Sequence, residues 1–221
     1  MVDRWDRTGT VKPLTWTSRV ASNPPTVNYG DLKGNTKLGE LLAKIRVHGF
    51  CFIESSPSTP EATQALLEAI GPIRNTHYGG FYDFTSDLSS KDTAYTSEAL
   101  EPHTDNTYFT EPAGLQALHM ISHTEGSGGE SSLTDGFEAA RQLFEADSTA
   151  YLRLRTQGVY AHASGNEDVK IQPLAPMPVL NFDQSLQQLV QVRWNTADRS
   201  ELESNSEHVD EWYDAAAWVK S

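Results

Sequence analysis

The segment Pro102-His-Thr-Asp-Asn-Thr-Tyr-Phe109 contains the pattern His103-x-Asp105, on which the interpretation of the whole chain depends. In an extended segment, residues i and i+2 point to the same side of the backbone. The imidazole and the carboxylate can then reach one metal ion, as in the two-histidine, one-carboxylate site of non-haem iron oxygenases. Alone the pattern is weak, because a surface turn with a local hydrogen bond fits the same residues.

The composition describes a soluble protein of 221 residues with a net charge of -13. An acidic surface disfavours nucleic acids and favours a small cationic substrate. The single cysteine, Cys51, excludes an internal disulfide or a cysteine-rich zinc site and is interpreted as a small buried residue. We expect no membrane span, because no apolar run is long enough, and a cytoplasmic location, with a mitochondrial one as the alternative.

Local signals predict the organisation of the first half of the chain. Residues 1–36 are rich in Thr, Pro, Asn and Gly and predict an irregular arm, ahead of a core over residues 37–221. Helical spacing of leucines predicts a helix over 37–47, and a strand is predicted over 50–54. Thr59 is a predicted N-cap, with Pro60 at the first position of the next helix.

The second half combines loops, strands and helices. Residues 73–114 are aromatic and rich in turn residues, which is typical of active-site loops. A helix is predicted after Asp135-Gly136, and the last helix has one apolar face. Strands are predicted at 115–122, 131–134 and 188–194. The order of elements indicates an α+β fold with a β-sandwich or jelly-roll core. The apolar face of the last helix comprises Val209, Trp212, Tyr213, Ala216 and Val219.

Further segments surround His103 and Asp105 in a fixed order. They are Thr76-His-Tyr-Gly-Gly-Phe-Tyr-Asp-Phe-Thr-Ser-Asp87, Thr93-Ala-Tyr-Thr96, Glu111-Pro-Ala-Gly-Leu-Gln116, His123-Thr-Glu-Gly-Ser-Gly-Gly-Glu130, Leu133-Thr-Asp-Gly-Phe137, His162-Ala-Ser-Gly-Asn166 and Val192-Arg-Trp-Asn-Thr-Ala-Asp-Arg199. Together they resemble the catalytic core of the trimethyllysine dioxygenase / γ-butyrobetaine hydroxylase family. The resemblance extends from about Leu14 to Trp218.

The family resemblance implies a fold and a reaction. The fold is a distorted double-stranded β-helix, a jelly-roll variant with flanking helices. His103 and Asp105 are implied ligands of Fe(II), with 2-oxoglutarate and O2 as co-substrates and ascorbate as reductant. The implied reaction is hydroxylation of a trimethylammonium amino acid, above all Nε-trimethyllysine to its 3-hydroxy derivative in carnitine biosynthesis.

The resemblance also implies residues that bind the organic substrates. Tyr78, Tyr82 and Tyr95 would form an aromatic cage, because a quaternary ammonium has no hydrogen to donate and binds π faces. Tyr82 replaces a family tryptophan, and each tyrosine alone is equally compatible with ordinary packing. Ser131 would bind the distal carboxylate of 2-oxoglutarate, and Asn195 would lie near the substrate.

The family pattern requires residues for which this sequence has no match. A third iron ligand, a histidine, and an arginine for 2-oxoglutarate are expected beyond the last helix, so we expect a core truncated at both ends and incomplete at the C-terminus. The alternatives are an inactive truncated paralogue and a tailoring oxygenase-like protein of secondary metabolism, with a homo-oligomer or a complementing chain as conceivable partner. A zinc hydrolase is a weaker alternative, because no general base lies beside the motif.

Overall fold

The computed structural model describes residues 13–35, 37–85, 99–124, 127–163, 169–202 and 206–220. Contacts divide the chain into two units: the first comprises Met1–Asp83 and Ala117–Ser127, and the second comprises Phe84–Gln116 and Gly128–Ser221. The predicted boundary after residue 36 lies within the first unit. The assignment of 37–221 as a catalytic core stays a prediction.

In the described residues of the first unit, a short parallel sheet and two α-helices form. Residues 18–35 include two 3-10 helices and a strand, and therefore have more local structure than the predicted irregular arm. The elements are 3-10 helices Ser18–Ser22 and Tyr29–Asn35, strands β1 (Thr26–Asn28) and β2 (Phe52–Glu54), and helices α1 (Leu38–His48) and α2 (Pro60–Ile70). Strands β1 and β2 pair in parallel, with α1 between them in the chain.

Both helices of this unit begin or end at the residues that the sequence indicates. Gly49 closes α1 with φ 79°, a left-handed conformation that glycine adopts without strain. The Thr59 hydroxyl accepts a hydrogen bond from the Ala62 N–H at the start of α2. The fully buried Leu41 then packs with Val27 in a small core. The predicted helices and the strand near 50–54 are confirmed to within about two residues.

The described residues of the second unit form three helices and two two-stranded antiparallel sheets. The elements are α3 (Gly136–Ala146), α4 (Ser148–Thr156), β3 (Gly158–Val159), β4 (Met177–Pro178), β5 (Leu180–Asp183), β6 (Gln188–Val192) and α5 (Ser206–Lys220). Strand β3 pairs with β4, and β5 pairs with β6. The mixture of helices and small sheets confirms the predicted α+β content.

The core of the second unit forms where α3 packs on β6, α4 packs on β5, and α5 packs on both of these helices. Trp212 of α5 is 1% exposed and stacks on Trp194, with ring centroids 6.3 Å apart. Ala216 is buried on the same face as predicted, whereas Tyr213 is 46% exposed. The apolar face of the last helix is therefore narrower than the sequence indicates.

Two predicted strands are absent from the described parts of 115–122 and 131–134. Large side chains there face solvent, and Leu118 is 74% exposed. The prediction was wrong because an apolar run forms a strand only where a neighbouring segment completes its backbone hydrogen bonds. In the part of the chain that the structure covers, no helix is both long and apolar enough to cross a membrane.

Candidate metal centre

His103 and Asp105 lie side by side, as their spacing predicts. His103 Nε2 is 3.2 Å from Asp105 Oδ1, and both side chains are partly exposed. The other ring nitrogen, Nδ1, lies 2.7 Å from the backbone oxygen of Glu101. A carbonyl oxygen can only accept, so Nδ1 carries a proton and Nε2 is the atom available to Asp105 or to a metal.

Electrostatics make this pair an ion pair in the absence of a metal. The hydrogen bond to Asp105, supported by the Glu101 carbonyl and opposed by partial burial, raises the pKa of His103 to about 9. The same hydrogen bond lowers the pKa of Asp105 below 3.8. The histidine's contribution to stability is full below its ordinary pKa of 6.5 and is lost as pH rises through about 9. The aspartate's contribution is full above 3.8 and is lost as pH falls through its lowered pKa.

Two neighbours orient the Asp105 carboxylate. Its second oxygen, Oδ2, accepts a hydrogen bond from Gln116 Nε2 at 2.5 Å. Asn106, the next residue, has φ 58°, a left-handed conformation that asparagine tolerates better than most residues. The chain therefore turns directly after Asp105, and each carboxylate oxygen has its own partner.

Thr104, between the two candidate ligands, connects them to the segment after β6. Its backbone N–H donates to the Trp194 oxygen at 2.6 Å, and its hydroxyl accepts from the Trp194 N–H at 2.8 Å. Alternation of side chains along an extended segment places Thr104 opposite His103 and Asp105. Thr104 thus anchors the motif to Trp194, and the side chains of His103 and Asp105 take no part in that contact.

Replacing Thr104 by valine should destabilise the second unit by about 1–3 kcal/mol, because the partly buried Trp194 N–H loses its acceptor. Valine keeps the shape of threonine and removes only the hydroxyl. Urea unfolding monitored by tryptophan fluorescence measures the change. Thr104→Ser keeps the hydroxyl and should lose much less stability. A Thr104→Val variant as stable as wild type would show that the hydrogen bond from the Trp194 N–H does not hold the motif in place.

Arg193 is a buried cation behind the motif. It is 7% exposed, and burial lowers its pKa. Its guanidinium donates to the backbone oxygens of Thr107 at 2.7 Å, Phe109, and Thr110 at 3.4 Å. These carbonyls belong to the loop that follows Asp105. Arg193 therefore holds the loop that follows Asp105, and the next residue, Trp194, holds Thr104.

Asn195, predicted to lie near a substrate, forms a turn of its own. Its Oδ1 accepts from the backbone N–H groups of Ala197 and Asp198, and its Nδ2 donates to Asp198 Oδ2 at 3.0 Å. The same Asp198 oxygen accepts from the buried Thr107 hydroxyl at 3.2 Å. The structure thus brings Asn195 into the network behind the motif, and its role toward a substrate stays a prediction.

The predicted aromatic cage is described only in part. Tyr78 and Tyr82 lie in the first unit, with ring centroids 6.4 Å apart and planes 30° apart. Tyr82 is 46% exposed. The His77 ring packs on the Tyr78 ring, with 4.0 Å between their centroids. Tyr95 lies outside the described residues. The cage stays a prediction, supported by the proximity of two of its three members.

Ser131 and His162 are exposed residues of the second unit. Ser131 follows Gly128 and Gly129, whose φ angles of 108° and 80° suit glycine. The His162 backbone N–H donates a hydrogen bond to the backbone oxygen of Asp198. Neither has a geometry that assigns a function, and the 2-oxoglutarate role of Ser131 stays a prediction.

The donor atoms of His103 and Asp105 suit two positions of an iron site. Two donor atoms that each lie about 2.1 Å from a metal ion, with a right angle between the two bonds, are about 3 Å apart. The observed distance between Nε2 and Oδ1 is 3.2 Å. Among the residues that the structure describes, no group of three or more His, Cys, Asp and Glu side chains could hold a metal. The pair therefore fits as part of a metal centre.

The sequence analysis identified the two candidate ligands and missed the residues that hold them in place. Arg193, Asp198 and Gln116 all lie within segments that carry the family resemblance, and no role was assigned to them. Thr104 could have been found from alternation alone, since it must point away from its neighbours.

Comparisons with known proteins identify the family of the chain. Residues 10–218 match the sequence pattern of the family described as the taurine catabolism dioxygenase TauD, TfdA family. A trimethyllysine dioxygenase from Neurospora crassa is 41% identical over 91% of this chain and 50% of its own length. The trimethyllysine dioxygenase from Meyerozyma guilliermondii is 43% identical over 81% of this chain and 46% of its own length. The one from Mus musculus, named as mitochondrial, is 35% identical over 91% of this chain and 49% of its own length. The resemblance inferred from the motifs is confirmed.

The chain spans about half the length of these curated relatives. The family match nevertheless covers nearly all of its residues, including both candidate ligands and every residue that orients them. The chain belongs to the TauD/TfdA family of dioxygenases.

Proposed function

We propose that this chain is part of an Fe(II)- and 2-oxoglutarate-dependent oxygenase that hydroxylates a trimethylammonium amino acid, with Nε-trimethyllysine as the favoured substrate. The observation that carries the proposal is the His103–Asp105 pair, with Nε2 and Oδ1 3.2 Å apart and the ring oriented by the Glu101 oxygen. Similarity to proteins named trimethyllysine dioxygenase supports the substrate.

His103 and Asp105 would hold Fe(II) through Nε2 and Oδ1. Iron bound there, with 2-oxoglutarate and O2, supplies the oxidising power to hydroxylate an unactivated C–H bond. For His103 to bind, Nε2 must give up the proton that it shares with Asp105, so metal and proton compete for this nitrogen. The Glu101 oxygen keeps Nδ1 protonated in either state and so maintains the ring orientation.

The substrate assignment depends on recognition of a cation without N–H donors. Aromatic faces suit such a group, and Tyr78 and Tyr82 already lie together. The net charge of -13 favours the approach of a cation. We assign Tyr95 to the same cage, Ser131 to the distal carboxylate of 2-oxoglutarate and Asn195 to the substrate, following the family pattern.

The finer features of the family belong to this proposal as well. We propose a double-stranded β-helix as the scaffold, ascorbate as reductant and a cytoplasmic location, with a mitochondrial location as the alternative. A third ligand and a cation for 2-oxoglutarate are required by the proposed chemistry.

Anaerobic titration with Fe(II) and 2-oxoglutarate tests the proposed centre. The purified chain should develop the visible charge-transfer band of the iron chelate. With the third ligand and the cation for 2-oxoglutarate present as well, it should form succinate and hydroxylated Nε-trimethyllysine after O2 is admitted. Unmethylated lysine is the matched control and should not be hydroxylated. A band without turnover would favour the non-catalytic paralogue, and turnover of a different cation would favour a tailoring oxygenase. Absence of the band would contradict the iron site.

A further inference from the structure

The side chain of Gln116 approaches the outer oxygen of Asp105. Gln116 Nε2 donates to Asp105 Oδ2 at 2.5 Å, while Oδ1 faces His103 Nε2 at 3.2 Å. Gln116 is exposed, and the Asp105 side chain is 43% exposed. Water could hydrogen-bond to the Gln116 amide and to the Asp105 carboxylate at this exposed position, so burial does not force the two side chains together. The effect of their contact is to orient the carboxylate.

We propose that Gln116 is a positioning residue that makes Asp105 a one-oxygen ligand. The inference rests on the proposed function, because it concerns how Asp105 would present itself to a metal beside His103. A carboxylate can bind a metal through one oxygen or through both. An N–H donor on Oδ2 favours binding through Oδ1 alone, which leaves a further coordination position open for co-substrates.

The chemistry of an amide suits this role. A neutral N–H donor orients the carboxylate and leaves its negative charge in place, whereas a lysine or arginine would compete with the metal for that charge. Gln116 therefore acts on the ligand and does not itself touch the reacting atoms.

The loop between Asp105 and Gln116 is fixed near its start. Arg193 donates to the Thr107 and Phe109 oxygens, and this holds the chain just beyond the motif. Gln116 meets the carboxylate eleven positions after Asp105. The segment that carries Gln116 is therefore held near Asp105 by hydrogen bonds within the same unit. A positioning residue requires such an anchor.

The test compares Gln116→Met with wild type in the binding of Co(II) alone. Methionine has a similar length and cannot donate, and loss of a partner that orients a ligand typically costs 10–100-fold in metal affinity. We expect binding about tenfold weaker and an altered Co(II) absorption spectrum at an unchanged melting temperature. Gln172→Met, at an exposed glutamine of the same unit, is the matched control and should behave as wild type.

A second measurement does not depend on metal. In the metal-free, 15N-labelled protein, the Gln116 side-chain amide signals should shift in Asp105→Ala, whereas those of Gln172 should not. Unchanged Gln116 signals would overturn the contact, and this arm decides the matter if Gln116→Met lowers the melting temperature. Equal Co(II) affinity and spectrum for wild type and Gln116→Met would overturn the inference alone. A wild-type chain that binds no Co(II) would overturn the proposed function together with it.

Discussion

Replacing His103 by alanine is expected to abolish iron-dependent hydroxylation and to weaken Fe(II) binding more than about 100-fold, the upper range for residues that only orient a ligand. The variant removes Nε2, one of the two candidate donor atoms. It also leaves Asp105 without the cation that lowers its pKa. A single carboxylate on a partly exposed loop would then hold the metal no better than many acidic surface residues.

Anaerobic titration with Fe(II) and 2-oxoglutarate, followed by succinate release under O2, measures this effect. His208→Ala is the matched control, because His208 is an exposed histidine of α5 whose ring contacts Glu211. The control should retain the band and the activity of wild type. An unchanged band in His103→Ala would mean that iron binds elsewhere, and the candidate centre would have to be abandoned.

Local chemistry explains why some elements could be predicted. Helix α2 begins at Pro60 because Thr59 caps it and proline needs no N–H partner at the first position. Helix α1 ends at Gly49 because glycine accepts a left-handed conformation. These signals act within a few residues, so a sequence alone carries them.

Helix α4 was missed for an equally local reason. Asp147 ends α3 and at once caps α4, accepting hydrogen bonds from the Thr149 and Ala150 N–H groups. A single residue between two helices leaves no turn signal to separate them. In addition, Arg153 and Arg155 in its last turn weaken the apolar pattern that would mark a second helix.

The candidate site shows the same division between local and distant causes. The pairing of His103 with Asp105 follows from the i, i+2 spacing and was predicted. The contact of Thr104 with Trp194 joins residues 90 positions apart, and no local pattern encodes it. Tertiary packing thus decides which polar residues near the motif hold it in place.

Arg193→Met should lower the free energy of unfolding by about 2–4 kcal/mol, because backbone oxygens of the loop after Asp105 lose their shared donor and each buried unpaired group costs about 1–3 kcal/mol. Methionine fills much of the space and is easily buried, so the loss reports the hydrogen bonds more than a cavity. The freed loop also carries the connection from Asp105 to Gln116. Metal binding should therefore weaken in the same variant, even though Arg193 contacts neither candidate ligand in the interactions described.

Urea unfolding and Co(II) titration of the same samples separate the two effects. Arg46→Met is the matched control, since Arg46 is an exposed arginine of α1. Substitution of an exposed side chain usually changes stability little, so this control should retain nearly the stability and metal affinity of wild type. Arg193→Lys should fall between wild type and Arg193→Met, because one ammonium cannot reach all the carbonyls that the planar guanidinium spans. Equal stability of Arg193→Met and Arg46→Met would show that water replaces the guanidinium at those oxygens, and that the loop after Asp105 is held by Thr104 and Asp198 instead.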